Sequence, residues 1–219
     1  EEQKSRLLPG LCDGTPVAAH GMTEADSGSD AFAMRTRAVP DGEGTFRIDG
    51  VKTFVTNAPV ADLFLLFAVT DPAKGFFGGI TAFLLPRDTP GLAAGPPIAK
   101  MGLKTSPMSE VILESVRAGP ETVLGGVGGG SAVFDRGMSW ERTVIFASHV
   151  GTMERLLDAA VRYARERHQG GQPIGKFQAV AHRIAGMKVR LEAARLLVRQ
   201  AAWRLDQGSR AGVEAAVAK

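Results

Sequence analysis

Gly125-Gly126-Val127-Gly128-Gly129-Gly130-Ser131 divides the chain into two textures. Before it, apolar residues alternate, or run in short blocks between Gly, Pro, Asn and Asp. After it, they recur every three or four positions over long spans. A period of two marks strands and a period of 3.6 marks helices. The glycine cluster does not fit a dinucleotide fingerprint, because its spacing is wrong and no strand–helix–strand unit follows. It reads as a linker with a helix beginning after it.

On the N-terminal side, Phe46-Arg47-Ile48 alternates and meets Asp49-Gly50, which predicts a hairpin-type turn. Val51-Lys52-Thr53-Phe54-Val55-Thr56 alternates next and closes at Asn57-Ala58-Pro59. Leu63 to Val69 is continuously apolar, as expected of a strand covered on both faces. Ile80 to Leu85 and Glu110 to Val116 complete the set. Short strands at this spacing suggest a β-barrel or sandwich. Further upstream, Leu7-Leu8 followed by Pro9-Gly10 reads as a helix stop.

On the C-terminal side, Met153, Leu156, Leu157, Ala160, Val161 and Ala164 follow helical spacing. A second stripe runs Phe177, Val180, Ile184, Met187, Leu191, Ala194, Val198, Ala201 and Leu205, and Gly208 ends it. Such a stripe is the seam of a left-handed helix bundle. Gly170-Gly171-Gln172-Pro173 predicts a tight antiparallel connection, and a third helix starts near Ala211. The fold class expected is therefore α+β: a central β-barrel or sandwich domain followed by an antiparallel helical bundle, incomplete in this chain.

The 219 residues, 44% of them hydrophobic, suit a globular protein with a real core. The longest apolar run, Leu63 to Val69, is too short to span a membrane. The charged start, Glu1-Glu2-Gln3-Lys4, carries no signal-peptide pattern. The single cysteine, Cys12, gives no disulfide framework and suits a cytoplasmic location. His20, His149, His168 and His182 have no metal-ligand spacing. Residues 1–150 carry 13 Lys+Arg against 17 Asp+Glu, and residues 151–219 carry 13 against 6. A basic half can face phosphates or an acidic partner, and is also what a solvated Arg-rich helix surface looks like. Basic residues are not interleaved with aromatics, which argues against nucleic acid.

One further stretch breaks the β texture. Gly21-Met22-Thr23-Glu24-Ala25-Asp26-Ser27-Gly28-Ser29-Asp30 holds two glycines, two serines, a threonine and three acids. It reads as a turn that offers hydroxyls and free N–H groups to an anion or a flat heteroaromatic edge. A solvated surface loop has the same composition.

Taken in order, Met22-Thr23-Glu24 with Ser27-Gly28-Ser29-Asp30, Phe54-Val55-Thr56-Asn57, Lys100-Met101-Gly102-Leu103, Arg165-Glu166-Arg167, Gln172-Pro173-Ile174 and Phe177-Gln178 resemble the acyl-CoA dehydrogenase family of flavoproteins. The resemblance covers essentially the whole chain. It implies residues 1–15 as the end of an N-terminal helical domain, 16–128 as a β-barrel flavin and substrate domain, and 129–219 as part of a C-terminal four-helix bundle.

The resemblance also implies roles. Met22 and Thr23 match positions that meet the pyrimidine edge of FAD, and Ser29 one that meets its pyrophosphate and lies near the substrate. Thr56 matches the threonine beside flavin N5, and Phe54 stands where most members carry Trp. Arg167 and Gln178 match residues that reach the FAD of a neighbouring subunit. Gly170 departs from the aromatic residue usual there. Glu141, in Ser139-Trp140-Glu141-Arg142, matches the catalytic base of a minority of members, those acting on bulky acyl groups or on aminoacyl groups held by carrier proteins. The residues themselves leave open a helix-surface pairing of Glu141 with its neighbours. Ser139 and Arg142 would then contact substrate, Arg142 through the phosphopantetheine or nucleotide part.

The implied reaction is FAD-dependent α,β-dehydrogenation of an acyl thioester on CoA or a carrier protein, in a secondary-metabolism setting. An electron-transfer flavoprotein or oxygen would accept the electrons, and the protein would be a homo-oligomer, a tetramer in the family's usual form. Neither nucleic acid nor membrane is an expected partner. A flavin oxidase or monooxygenase, and a flavin-free binding remnant, are the other readings.

Overall fold

The structure, a computed structural model, describes residues 2–31 and 33–219. It divides into two compact units, 1–133 and 134–219. The first holds helix α1 (Glu2–Asp13), eight strands and the four-residue turn α2 (Phe76–Gly79). The strands are β1 (Ala18–Gly21), β2 (Arg37–Pro40), β3 (Phe46–Thr56), β4 (Leu63–Val69), β5 (Ile80–Pro86), β6 (Leu92–Ala94), β7 (Met108–Ala118) and β8 (Val123–Leu124).

They form one mixed sheet in the order β6-β7-β3-β2-β4-β5-β8, with β1 also on β4; the path does not close on itself. Even so, its inner residues share one core, including Phe46, Ile48, Val55, Phe64, Leu66, Phe83, Val111 and Val116. Strands β3 and β5 are three strand spacings apart, roughly 14 Å on a flat sheet. The rings of Phe46 and Phe83 nonetheless meet edge-to-face at 5.7 Å. The sheet is therefore strongly curled, which is how an open sheet encloses a barrel-like core.

Two departures from the sequence pattern have local causes. Asp49-Gly50 is not a hairpin turn, since β3 runs straight through it. The register with β7 shifts between Ile48 and Gly50, and Asp49 Oδ1 accepts a hydrogen bond from the Ser115 N–H at 2.7 Å. Gly50 has φ 155°, and a Cβ there would lie 2.4 Å from Thr36 Oγ1. The glycine serves a bulged register and a close approach. Likewise α1 continues past Pro9 to Asp13. A proline removes one ladder bond, and here that loss does not end the helix.

Strands β1 and β2 lie along one edge of β4, both parallel to it. Gly21 pairs with Leu66 and Arg37 with Val69, so their ends are a step of three positions apart along β4. That is about 10 Å of strand. The fifteen residues 22–36 leave the edge there and return. Arg37–Val69 is the sole residue pair of the β2–β4 ladder among the described residues.

The second unit continues helix α3 (Gly130–Glu166), which begins in the glycine cluster. It adds strands β9 (His168–Gln169) and β10 (Gln172–Pro173), α4 (Gln178–Asp206) and α5 (Gly212–Ala218). Gly170 and Gly171 have φ of 59° and 77°. Two positive φ values in a two-residue loop define the type I′ hairpin that reverses the chain. Leu191, Val198, Ala201 and Leu205 of the α4 stripe are buried, with Leu157 and Ala164 of α3. Arg195 on α4 joins the helices by donating to Glu154 Oε1 on α3, an ion pair at 2.7 Å. No helix among the described residues is long and apolar enough to cross a membrane.

Candidate functional site

The segment 22–36 is organised by one carboxylate. Glu24 is 7% exposed. Its Oε2 accepts the Arg35 N–H at 2.5 Å, and its Oε1 accepts the Thr36 N–H at 3.1 Å and the Thr36 hydroxyl at 2.6 Å. The same Oε1 lies 2.7 Å from Lys52 Nζ, a fully buried ammonium on β3. Lys52 also donates to the Met22 carbonyl at 3.3 Å. One acid thus ties the start of the loop to its end and to the sheet beneath.

Both titrations reflect this packing. Burial pushes Glu24 up, but its bonds from Lys52, Thr36 and Arg35 outweigh burial and hold it below the usual carboxylate range. Burial dominates at Lys52 and lowers it, against the pull of Glu24.

Backbone bonds complete the anchoring. Glu24 and Ser27 exchange N–H and carbonyl bonds at 3.0 and 3.1 Å, closing a tight turn over Ala25-Asp26. Ser27 is buried and its hydroxyl donates to the Asp30 carbonyl at 2.8 Å, so it is not offered to a ligand. Arg35 pairs with Asp26 at 2.8 Å across the outside. The Thr53 N–H donates to the Thr23 carbonyl at 2.8 Å. The Thr23 N–H has no acceptor among the described residues, and Ser29 is exposed.

Next to this loop the register of β3 shifts again, between Lys52 and Val55. Phe54 occupies the bulge with φ 54°, a left-handed conformation unusual for an aromatic residue, and is 61% exposed. Thr56 is exposed at the strand end. Asn57, also left-handed, donates its N–H to the Pro107 carbonyl and accepts the Ser106 hydroxyl at 2.9 Å. These bonds hold Ser106-Pro107 at the strand end, and Ser106 in turn accepts Lys100 Nζ on its carbonyl and donates its N–H to the Leu103 carbonyl. In unit one, then, Met22, Thr23, Ser29, Phe54 and Thr56 all lie on the loop and on the strand it is bonded to.

In the second unit, Glu141 is exposed on α3 and Arg142 is half-buried. Neither forms an ion pair among the described residues, so the helix-surface pairing of Glu141 with its neighbours is absent. Thr143 donates instead to the Ser139 carbonyl at 2.9 Å. Ser139 is 3% exposed and its hydroxyl donates to the Asp135 carbonyl at 3.1 Å. Arg167 and Gln178 are exposed at either side of the β9–β10 hairpin, their side chains without an ion pair or hydrogen bond among the described residues.

Sequence reading missed Lys52 and Glu24 as a pair. A signal existed: Phe46 and Ile48 are buried, and the same phase carries inward to Lys52. The bulge at 53–54 then resets the phase to Val55.

Residues 19–116 match the acyl-CoA dehydrogenase middle domain and residues 128–219 match the acyl-CoA dehydrogenase C-terminal domain. The chain belongs to the acyl-CoA dehydrogenase family. Over 218 residues it is 41% identical to the L-prolyl-peptidyl-carrier-protein dehydrogenase of Pseudomonas fluorescens, covering all of this chain and 57% of that protein. Among solved structures it is similar to the prolyl acyl carrier protein oxidase AnaB, with 44% identity and a TM-score of 0.93 over 100% of this chain and 57% of that one. PigA with FAD and proline gives 40% identity and a TM-score of 0.93, over 100% and 56%. The chain thus spans little more than half the length of the relatives it matches.

Proposed function

We propose that this protein is an FAD-dependent dehydrogenase of acyl or aminoacyl thioesters, carried on coenzyme A or on a carrier protein. The observation that carries the proposal is the loop 22–36, pinned from below and bonded to a bulge that holds Phe54 outward. A flat heteroaromatic cofactor fits what this surface offers. The Thr23 N–H has no acceptor among the described residues, the Thr56 and Ser29 side chains are exposed, and the Phe54 ring is held outward by a conformation that costs energy. The solved relative PigA is described with FAD, which supports the same assignment.

Residue roles follow. Met22 and Thr23 hold the polar edge of the ring, and Thr56 its central part beside Phe54. Ser29 faces the pyrophosphate. Arg167 offers a guanidinium fork suited to a phosphate of a second subunit's cofactor, with Gln178 beside it. Bound FAD supplies the acceptor for the hydride that leaves the substrate Cβ. Glu141, exposed on α3, removes the Cα proton as the general base. Arg142 contacts the phosphopantetheine or nucleotide part, and Ser139 backs it from the inner face of α3. Residues 16–128 would form the flavin and substrate domain, 129–219 part of the helical bundle, and 1–15 the end of a preceding helical domain. A cytoplasmic homotetramer in secondary metabolism is the setting we propose.

Anaerobic mixing of the full-length FAD-loaded protein with prolyl-carrier-protein or acyl-CoA should bleach the flavin. Glu141→Gln should keep the flavin and lose the bleaching by at least about a thousandfold, the scale of general-base losses. Bleaching at the normal rate would remove Glu141 as the base.

A second reading, with oxygen as the electron acceptor, is favoured by the likeness to AnaB, which is described as an oxidase. Reoxidation of the reduced enzyme by air, with and without bound product, separates the two.

A further inference from the structure

Lys52 is a fully buried cation whose place in the fold is not explained by stability. Burying an ion pair costs desolvation that the pair's attraction barely returns, and apolar replacements of such pairs are often neutral or stabilising. What this pair does is fix geometry. Lys52 Nζ reaches three groups: Glu24 Oε1 at 2.7 Å, the Met22 carbonyl at 3.3 Å and Met34 Sδ at 4.0 Å. The Met22 carbonyl and the Thr23 N–H belong to one peptide unit. Holding the oxygen inward turns the N–H outward, and a hydrogen bond from an ammonium to the oxygen polarises the unit and strengthens the N–H as a donor. The next peptide oxygen, that of Thr23, is held by the Thr53 N–H at 2.8 Å. The unit is therefore fixed from both sides, and its N–H has no acceptor among the described residues.

We propose that Lys52 is a positioning residue for the flavin: from beneath the loop it orients and polarises the Met22–Thr23 peptide as a donor to the polar edge of the ring, and Glu24 holds the lysine in place. This rests on the assignment of the loop to FAD. It adds a residue that does not touch the cofactor and acts through the backbone. Phe54 and Thr56 lie on the same strand, so the height of the loop over them depends on the same pin.

The test uses full-length protein, purified without cofactor and titrated with FAD. The double variant Glu24→Gln with Lys52→Met removes both charges together, keeps an acceptor for the Thr36 donors and should fold with a lowered melting temperature. Its FAD dissociation constant should rise at least tenfold, and the midpoint potential of the flavin it does bind should fall, because a polarised donor at that edge favours the reduced ring. A purely structural pair would move the melt and leave the potential alone. Glu24→Gln, which keeps the shape and, through its one carbonyl oxygen, the bonds from Thr36 while losing that from Arg35, is the second variant should the double one not fold; it should show a smaller change in the same direction. Wild-type affinity and potential in the folded variants would overturn the proposal while leaving the cofactor assignment intact. A wild-type protein that takes up no FAD would overturn both.

Discussion

Glu24 concentrates four hydrogen bonds on one carboxylate, one from Arg35, two from Thr36 and one from Lys52, on segments otherwise free to part. Its proton affinity is thereby tied to folding. Since the folded carboxyl lies below its ordinary value, its stabilisation is fully present above the unfolded pKa of about 4.3 and is lost as pH falls through the depressed folded value. Thermal melts taken stepwise below about pH 5 should therefore fall more steeply in wild type than in Glu24→Gln, which has no proton to gain. Equal slopes would show that other carboxylates set the acid limit. Lys52 gives a slope of the same sign in a different window. Its folded value is lowered, so the unfolded chain binds the extra proton in the alkaline window and stability rises with pH there.

At the level of elements, α4 tests how far a stripe of apolar residues predicts burial. Leu191 is 1% exposed and Leu156, on the α3 stripe, is 50% exposed. Leu191→Ala should cost about 2–5 kcal/mol in chemical denaturation, and Leu156→Ala less than about 1 kcal/mol. Similar losses at the two sites would mean that Leu156 is covered in solution. The helices were legible because their period persists over many turns, and β4 because an unbroken apolar run has few other uses. The interior of β3 was not. Asp49-Gly50 carries the local chemistry of a turn, yet the ladder with β7 overrides it, and only the neighbouring Thr36 shows why a glycine stands there. The loop 22–30 was legible as a polar interruption, and Ser27 as one of its hydroxyls. That this hydroxyl turns inward, and that Lys52 lies below, depends on contacts between residues far apart in sequence, which composition does not encode.

For the whole first unit, the narrow β2–β4 junction has a consequence for motion. β1, β4, β5 and β8 make one group of ladders, and β2, β3, β6 and β7 another, joined in the sheet by Arg37 and Val69 and bracketed by the Val69 N–H on the Thr36 carbonyl at 2.9 Å. A boundary with so few ladder bonds is where amide protons should escape first. In hydrogen–deuterium exchange of the cofactor-free protein, β2 and Val69 should lose protection before the centres of β3, β4, β5 and β7. Uniform protection would show that the shared core alone locks the two groups together. The segment that leaves one group at Gly21 and enters the other at Arg37 is the loop assigned to FAD. Adding FAD should therefore slow exchange along that boundary, through the linkage between a bound ligand and the state that binds it. The cofactor would then act as a suture across a line along which the sheet can gape, and its loss would register first as breathing of the fold.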